Sequence, residues 1–290
     1  MEISLSYILT TYNKLTYLKV TLPYLIAACK FDEEIVIVDG GSTDGTAEYL
    51  KGLKEQNKIH QFISEKDHGE AHGTNKAILM AKGELLKIIT DDDIFDFKVI
   101  DFCKKHLLKN KEIDICGSDG ISCSSLNKTN DFIPTTYRNG FLDWKATKKP
   151  FLFCGLSYMI RRSSIAKLGL LSTQFKIIDI EYSLRVSAIK ANIVFCNAYS
   201  FSNIVGPDSN SNKFFDAIKQ EKKSLKSLYK DISNLNYSIE LKHLIKTNLE
   251  NLIGSKKSTQ PANNFTYIDL VNESSSALSK INSKIEFSFL

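Results

Sequence analysis

Apolar residues fall in short runs that stop at polar clusters, and the spacing inside the runs alternates between two periods. Leu5–Leu9 reads as a buried strand ending at Thr10-Thr11-Tyr12-Asn13. Lys14–Ala28 places Leu15, Leu18, Leu22, Leu25 and Ile26 at helical spacing, across Pro23. The β-branched run Ile35–Val38 ends at Asp39-Gly40-Gly41-Ser42-Thr43-Asp44-Gly45, where Thr43 or Asp44 is suited to cap a helix through Leu53. Gln61–Ser64 predicts a short strand, Glu70–Ala81 a helix, and Leu85–Thr90 a strand that stops at Asp91-Asp92-Asp93. Alternation of this kind predicts parallel strands with crossover helices. Such sheets bind ligands beyond the carboxyl ends of their strands. All four polar clusters (Thr10–Asn13, Asp39–Gly45, Glu65–Gly69, Asp91–Asp93) lie at such ends, on one rim.

The pattern loosens further along. Asp114–Ser118 and Ile121–Ser125 read as strands, with a polar connection near 126–139. Tyr158–Ile160 reads as a strand, Ser163 or Ser164 as a helix start, Glu181–Ala191 as an amphipathic helix and Ile193–Cys196 as the last strand. The turn-rich Gly206–Asn212 suggests a hinge. It divides the chain into an α/β domain over 1–212 and a lysine-rich helical extension over 213–290, with a polar linker at 254–264.

Composition narrows the class. Hydrophobic residues at 43% and charged residues at 24% of 290 are ordinary for a soluble globular protein. No apolar run is long enough to span a bilayer, and Met1–Leu5 has no basic region or cleavage site of a leader. Six cysteines are scattered without a CxxC pair, which predicts reduced thiols and a cytoplasmic setting rather than a disulfide scaffold or zinc site. The net charge of +5 is concentrated in 213–257, where ten lysines face five acids. That segment is either a solvated helix face or a peripheral contact with an anionic membrane surface or an acidic partner. Nucleic acid is not expected, because aromatics are not interleaved with the lysines.

Asp91, Asp92 and Asp93 carry the first chemical suggestion. Adjacent carboxylates raise one another's pKa when desolvated. A fold accommodates them at a strand end either as a solvated, helix-capping turn or around a hard cation such as Mg²⁺ or Mn²⁺ gripping phosphate oxygens. There is no P-loop, and Gly40-Gly41 with Gly45 does not form GxGxxG.

Several segments resemble inverting glycosyltransferase family 2. These are Ser6–Asn13 (SYILTTYN), Ile35–Thr46 (IVIVDGGSTDGT), Ser64–Ala77 (SEKDHGEAHGTNKA), Asp91–Asp93, Cys154–Gly169 and Ile178–Arg185 (IDIEYSLR). They span about 4–205 in the family's order. The resemblance implies a GT-A fold, with a mostly parallel sheet flanked by helices, and transfer of a sugar from a nucleotide-diphospho-sugar, UDP-linked, to a hydroxyl of a glycan or lipid-linked acceptor. The setting it implies is surface-polysaccharide assembly (O-antigen, capsule or lipooligosaccharide), in the cytoplasm or on the inner face of the membrane. Thr10, Tyr12 and Asp39 would form the nucleoside pocket, with Asp67 and Asn75 framing the donor. Asp92, with Asp91, would face the ribose, and Asp93 would hold Mn²⁺ or Mg²⁺. Asp179 aligns with the family's base, although Ile178 replaces the glutamate usual before it, and Glu181 lies two residues on. Arg185 then pairs along its helix. Two other readings share these residues. A sugar-nucleotidyltransferase would want a glycine-rich loop after the first strand, and Thr10–Lys14 has no glycine. A nucleotide-sugar-binding module or inactive paralogue would keep Asp39 and Asp93 without a working base.

Overall fold

The computed structural model describes residues 2–124, 132–205, 209, 214–229 and 266–290. The hinge at Gly206–Asn212 (but for Ser209), the linker at 254–264 and most of the lysine-rich stretch lie outside them. Along the described residues run β1 (Leu5–Thr11), α1 (Leu15–Ala28), β2 (Glu33–Asp39), α2 (Thr46–Glu55), β3 (Gln61–Ser64), α3 (Glu70–Met80), β4 (Leu85–Ile89), β5 (Ile94–Phe95) and α4 (Phe97–Lys109). There follow β6 (Ile115–Ser124), β7 (Ile133–Pro134), α5 (Tyr137–Thr147), a 3₁₀ turn (Gly155–Ser157), β8 (Met159–Arg161), α6 (Ile165–Leu168), α7 (Ile178–Ala188), β9 (Ile193–Val205), α8 (Phe215–Leu228) and α9 (Tyr267–Asn282).

The strands form one mixed sheet in the order β3-β2-β1-β4-β8-β6-β9-β5, with β7 on β6. The first four strands are parallel, so their carboxyl ends share a rim. β8 runs antiparallel between β4 and β6, and β9 runs parallel to β6. β1 and β2 are buried along nearly their whole length, which explains their unbroken apolar runs. Helices cover both faces, one core lying under α1, α2 and α4 and the other under α3, α5 and α7.

Several elements differ from the sequence pattern. Asp114–Ser118 and Ile121–Ser125 fuse into β6, which bends at a register shift around Asp119. The last strand continues to Val205, and α7 begins three residues earlier than its amphipathic stretch suggests. Two helices, α4 and α5, fall where none was expected. α4 is capped by Asp96, whose Oδ1 accepts from the Lys98 and Val99 N–H groups. Asp44 serves two helices: Oδ1 accepts from Thr46 at the start of α2, and Oδ2 from the Leu15 N–H at the start of α1.

Residues 266–290 pack on the sheet. Leu270, Val271 and Leu278 of α9 bury themselves against Ile94, Ile121, Cys123 and Ile204. Beyond α9, Phe289 stacks on Phe102 and His106, and the Leu290 N–H donates to the Phe195 carbonyl. Among the described residues no helix is long and apolar enough to cross a membrane.

Candidate active site

The register of β1, β2 and β3 sets Thr11, Asp39 and Ser64 in one lateral row at the rim. Asp39 is fully buried. Its Oδ2 accepts from the Ser42 N–H (3.0 Å) and the Ser64 hydroxyl (2.5 Å), and its Oδ1 accepts from the Ser42 hydroxyl. A carboxylate offers about four acceptor positions, so room remains for a further donor. Asn13 adopts the left-handed backbone region (φ 54°), which asparagine tolerates better than most residues. From there its N–H reaches Ser42 Oγ and its Oδ1 accepts from the Thr43 N–H, tying the β1 turn to the β2 turn. Tyr12, just before Asn13, has 57% of its surface exposed.

Thr10 and Asp67 meet across two glycines. A Cβ on Gly73 would collide with Thr10 Oγ1 and lie 3.0 Å from Asp67 Oδ2; a Cβ on Gly40 would lie 2.6 Å from the same oxygen. The missing side chains let the β3–α3 loop close onto the ends of β1 and β2. Asn75 faces elsewhere. Its amide donates to the Leu171 carbonyl (2.8 Å) and accepts from the Leu171 N–H (2.9 Å), pinning the loop after α6.

The three aspartates point in three directions. Asp91 is buried and accepts from the Thr11 hydroxyl (2.7 Å), while the Thr21 hydroxyl holds its carbonyl. Burial and the neighbouring Asp92 push its carboxyl up to about 7. Asp93 turns inward: Oδ1 accepts from the Ile204 N–H and Oδ2 from the Thr90 hydroxyl, both at 2.7 Å. Burial first, then Asp92, hold it well above the usual carboxylate range. Asp92 alone reaches the surface, and Lys14 Nζ sits 2.7 Å from its Oδ2. Burial pulls Lys14 down, but Asp92 and Asp91 outweigh it and hold the ammonium charged. Among the described residues no three His, Cys, Asp or Glu side chains converge on one point. A cation here would take one or two carboxylates, with water and phosphate oxygens completing its shell. That is the habit of Mg²⁺, and the hard-oxygen donors of this loop suit it.

Asp179 lies in the first turn of α7, one residue past its start rather than at its cap. It is half-buried against the 155–158 turn, with Oδ2 accepting from the Gly155 N–H (3.3 Å) and Oδ1 from the Ile180 N–H (2.9 Å). Burial raises its pKa against those bonds and against Lys222. The turn is held in place by Tyr158, whose hydroxyl donates to the Asp179 carbonyl, and by the buried Lys87 of β4, which donates to the Leu156 carbonyl. Glu181 pairs with Arg185 one turn on (2.7 Å). His72 Nδ1 accepts from the His68 N–H.

Three residues in contact with the proposed site residues or the turns beside them have no counterpart in the motifs. Lys14 was legible as the one cation beside the first polar cluster. Glu221 of α8 accepts from the Lys176 and Ile177 N–H groups ahead of Asp179, and Tyr267 donates to the Asp92 carbonyl. Neither of these two carries any signal in sequence.

The family described as Glycosyl transferase family 2 matches residues 6–169, more than half of the chain. The chain belongs to that family. The match holds every rim residue above, while Asp179, Glu221 and Tyr267 fall beyond it. A chondroitin synthase of Pasteurella multocida is 28% identical over 102 residues, covering 35% of this chain and 11% of the relative. The glycosyltransferase GlyG of Streptococcus pneumoniae is 28% identical over 112 residues, covering 38% of this chain and 37% of the relative. The chain thus spans well under half the length of these relatives. Among solved structures, residues 1–349 of Staphylococcus aureus TarS in complex with UDP-GlcNAc superpose with a TM-score of 0.57 at 14% identity, over 97% of this chain and 84% of that one. The mannosyltransferase PcManGT of Pyrobaculum calidifontis, in complex with GDP-Man and Mn²⁺, gives 0.52 at 14% identity, over 99% and 77%. These likenesses speak for the fold, which is the GT-A arrangement.

Proposed function

We propose that this family 2 member is an inverting glycosyltransferase that moves a sugar from a UDP-sugar to a hydroxyl of a glycan or lipid-linked acceptor in surface-polysaccharide assembly. The observation that carries the proposal is the strand-end rim. A buried Asp39 with one acceptor position left is the register partner of Thr11, the residue before the exposed Tyr12, and the same rim carries a loop of three carboxylates that leaves one at the surface. The TarS and PcManGT complexes, with UDP-GlcNAc and with GDP-Man and Mn²⁺, favour a nucleotide-sugar donor. Polysaccharide synthases among the relatives favour a glycan product.

In this reading Tyr12 stacks on the uracil, and Asp39 accepts from a base N–H with its remaining lone pair. Thr10 and Asp67 line the donor, and Asn75 acts at one remove by holding the Leu171 loop. Mn²⁺ or Mg²⁺ bound at the acidic loop would offset the charge that develops on the departing diphosphate. Asp92 is the carboxylate placed to hold it. Asp93 would reach the ion only by giving up its bonds to Ile204 and Thr90, so its part is to buttress the loop. Asp179, kept basic by burial, removes the acceptor proton as the hydroxyl attacks the anomeric carbon from the face opposite the diphosphate. The lysines of 213–257 would rest on an anionic membrane surface, where lipid-linked acceptors reside.

Calorimetric titration of UDP with and without Mn²⁺ tests this in wild type, Asp92→Ala and Asp93→Ala. Metal-dependent binding should weaken about 10-fold or more in Asp92→Ala (about 1.4 kcal/mol). Asp93→Ala should lower the melting temperature as well, since it strands a buried N–H and a hydroxyl. A wild type that binds no nucleoside diphosphate overturns the proposal.

A further inference from the structure

The carboxylate assigned to the metal sits on a loop of four residues between β4 and β5, and the loop alone does not explain why Asp92 stays at the surface. A closed circuit of contacts does. From the Asp92 side chain, Oδ2 pairs with Lys14 Nζ (2.7 Å). Lys14 Nζ lies over the Tyr17 ring (4.7 Å from its centroid). Tyr17 meets Tyr267 edge to face, with centroids 4.8 Å apart and planes at 89°. The Tyr267 hydroxyl then donates to the Asp92 carbonyl at 2.7 Å. Side chain and backbone of the same residue are therefore held from two elements, α1 and α9, whose sequences lie some 250 residues apart.

The helix that supplies Tyr267 is itself firmly seated. Thr266 and Asp269 form a reciprocal capping box at its start, fixing the first turn where Tyr267 projects. Leu270, Val271 and Leu278 are buried against the sheet. At the far end, Asn282 donates to Asp96 Oδ2 (2.8 Å) and to the Tyr199 carbonyl, and accepts from the Tyr199 N–H. Asp96 is the cap of α4, separated from the acidic loop only by the two residues of β5. So α9 holds this stretch at two points, Tyr267 on Asp92 within the loop and Asn282 on Asp96 just past β5.

We infer that α9 is a bracket for the donor site, and that Tyr267 is a positioning residue which holds Asp92 outward, toward the metal and diphosphate, through its backbone carbonyl. This inference rests on the donor reading proposed above. A carbonyl that accepts a fixed hydroxyl cannot rotate freely, and the peptide rotation that would bury Asp92 beside Asp93 breaks this bond. A tyrosine hydroxyl has one proton to give, and here it gives it to the Asp92 carbonyl. The ring provides the packing and the hydroxyl the positioning, which makes the two separable by experiment.

Tyr267→Phe keeps the ring and removes only the donor. The expected result is a melting temperature within about 2 °C of wild type, but Mn²⁺-dependent UDP binding weakened about 10-fold, the size found for residues that orient a metal ligand. Hydrogen exchange of the ligand-free protein provides a second readout, independent of any nucleotide. The amides of residues 91–96 should exchange faster in Tyr267→Phe, while those of β1 and β2 stay protected. Unchanged UDP affinity together with unchanged exchange at 91–96 overturns the bracket. If the wild type binds no nucleoside diphosphate, the proposed function falls, and the exchange comparison still decides whether Tyr267 holds the loop. A general loss of protection across the sheet would mean that Tyr267 only stabilises the fold, which also overturns the positioning role.

Discussion

Burial outweighs every other influence on the Asp179 carboxyl, and a base needs a pKa lifted toward the working pH. Asp179→Asn keeps the shape and the bond from Gly155 but cannot take a proton. Turnover should drop by about 10²-fold or more while UDP affinity stays unchanged, measured as donor hydrolysis or transfer. An activity above one-third of wild type would remove Asp179 from the mechanism. In the active enzyme the rate should fall at low pH along a limb that lies above the ordinary aspartate range, because the protonated carboxyl is inert. Lys87 is the opposite case, a buried amine pulled down to about 7 by desolvation. Unfolded, it titrates near 10.5, so between these values the unfolded chain binds more protons than the folded one. Stability from this residue is therefore complete above about 10.5 and is lost as pH falls toward 7, on the order of a few kcal/mol across the window. Lys87→Met should flatten the rise of denaturant midpoint with pH between 7 and 10. If the wild-type midpoint does not rise there, Lys87 is not neutral in the fold. Because Lys87 also holds the Leu156 carbonyl, the same variant loosens the turn that faces Asp179.

At the scale of elements, α7 lacks the usual capping side chain. Its N-cap is Ile177, which offers no oxygen to the orphan N–H groups of a first turn. Glu221 of α8 serves the segment just ahead, accepting from Lys176 (2.8 Å) and Ile177 (3.1 Å), and places a carboxylate near the positive end of the helix. Ile218 and Leu225 press the same helix onto Ile177, Ile180 and Leu184. Glu221→Ala should therefore cost about 1 kcal/mol of stability and lower turnover without changing UDP affinity, whereas Glu221→Gln, which keeps an acceptor oxygen, should recover most of both. Equal effects of the two variants would point to charge rather than capping. This contact also shows where sequence pattern stops being informative. The strand-end clusters at Thr10, Asp39, Asp67 and Asp91–Asp93 were legible because parallel strands place such clusters on one rim by construction. The start of α7 was not, because its cap arrives from a helix 40 residues later and Ile177 reads as core. Helix α4 was legible in principle, with Val99, Ile100, Cys103 and Leu107 at helical spacing behind the cap Asp96, but the acidic run just before it dominates the pattern. Which of the three aspartates faces outward depends on Lys14, Thr90, Ile204 and Tyr267, and no local spacing encodes that choice.

Across the whole molecule, the family match ends at 169, yet the sheet does not. β9 lies between β6 and β5, and α9 covers the end of the sheet that β5, β6 and β9 share. A division at 212/213 would leave Ile94, Ile121, Cys123 and Ile204 facing water, because Leu270, Val271 and Leu278 of α9 are what cover them. Fully burying each of those three side chains contributes about 1.5–3 kcal/mol, or roughly 5–9 kcal/mol together. Phe289, stacked on Phe102 with centroids 5.0 Å apart and planes at 5°, adds about 1 kcal/mol. A domain of this size has about 5–15 kcal/mol of stability in all, so loss of residues 266–290 removes an amount comparable with the total. The full chain should accordingly melt with α9 protected from hydrogen exchange as strongly as β6. A chain ending at residue 265 should lose its cooperative transition and bind a hydrophobic dye, whereas Phe289→Ala should only lower the melting temperature by a few degrees. A cooperative melt of the shortened chain, near the full-length temperature, would make α9 an appendage after all. The bracket on Asp92 would then have to be maintained by a helix that the fold does not need.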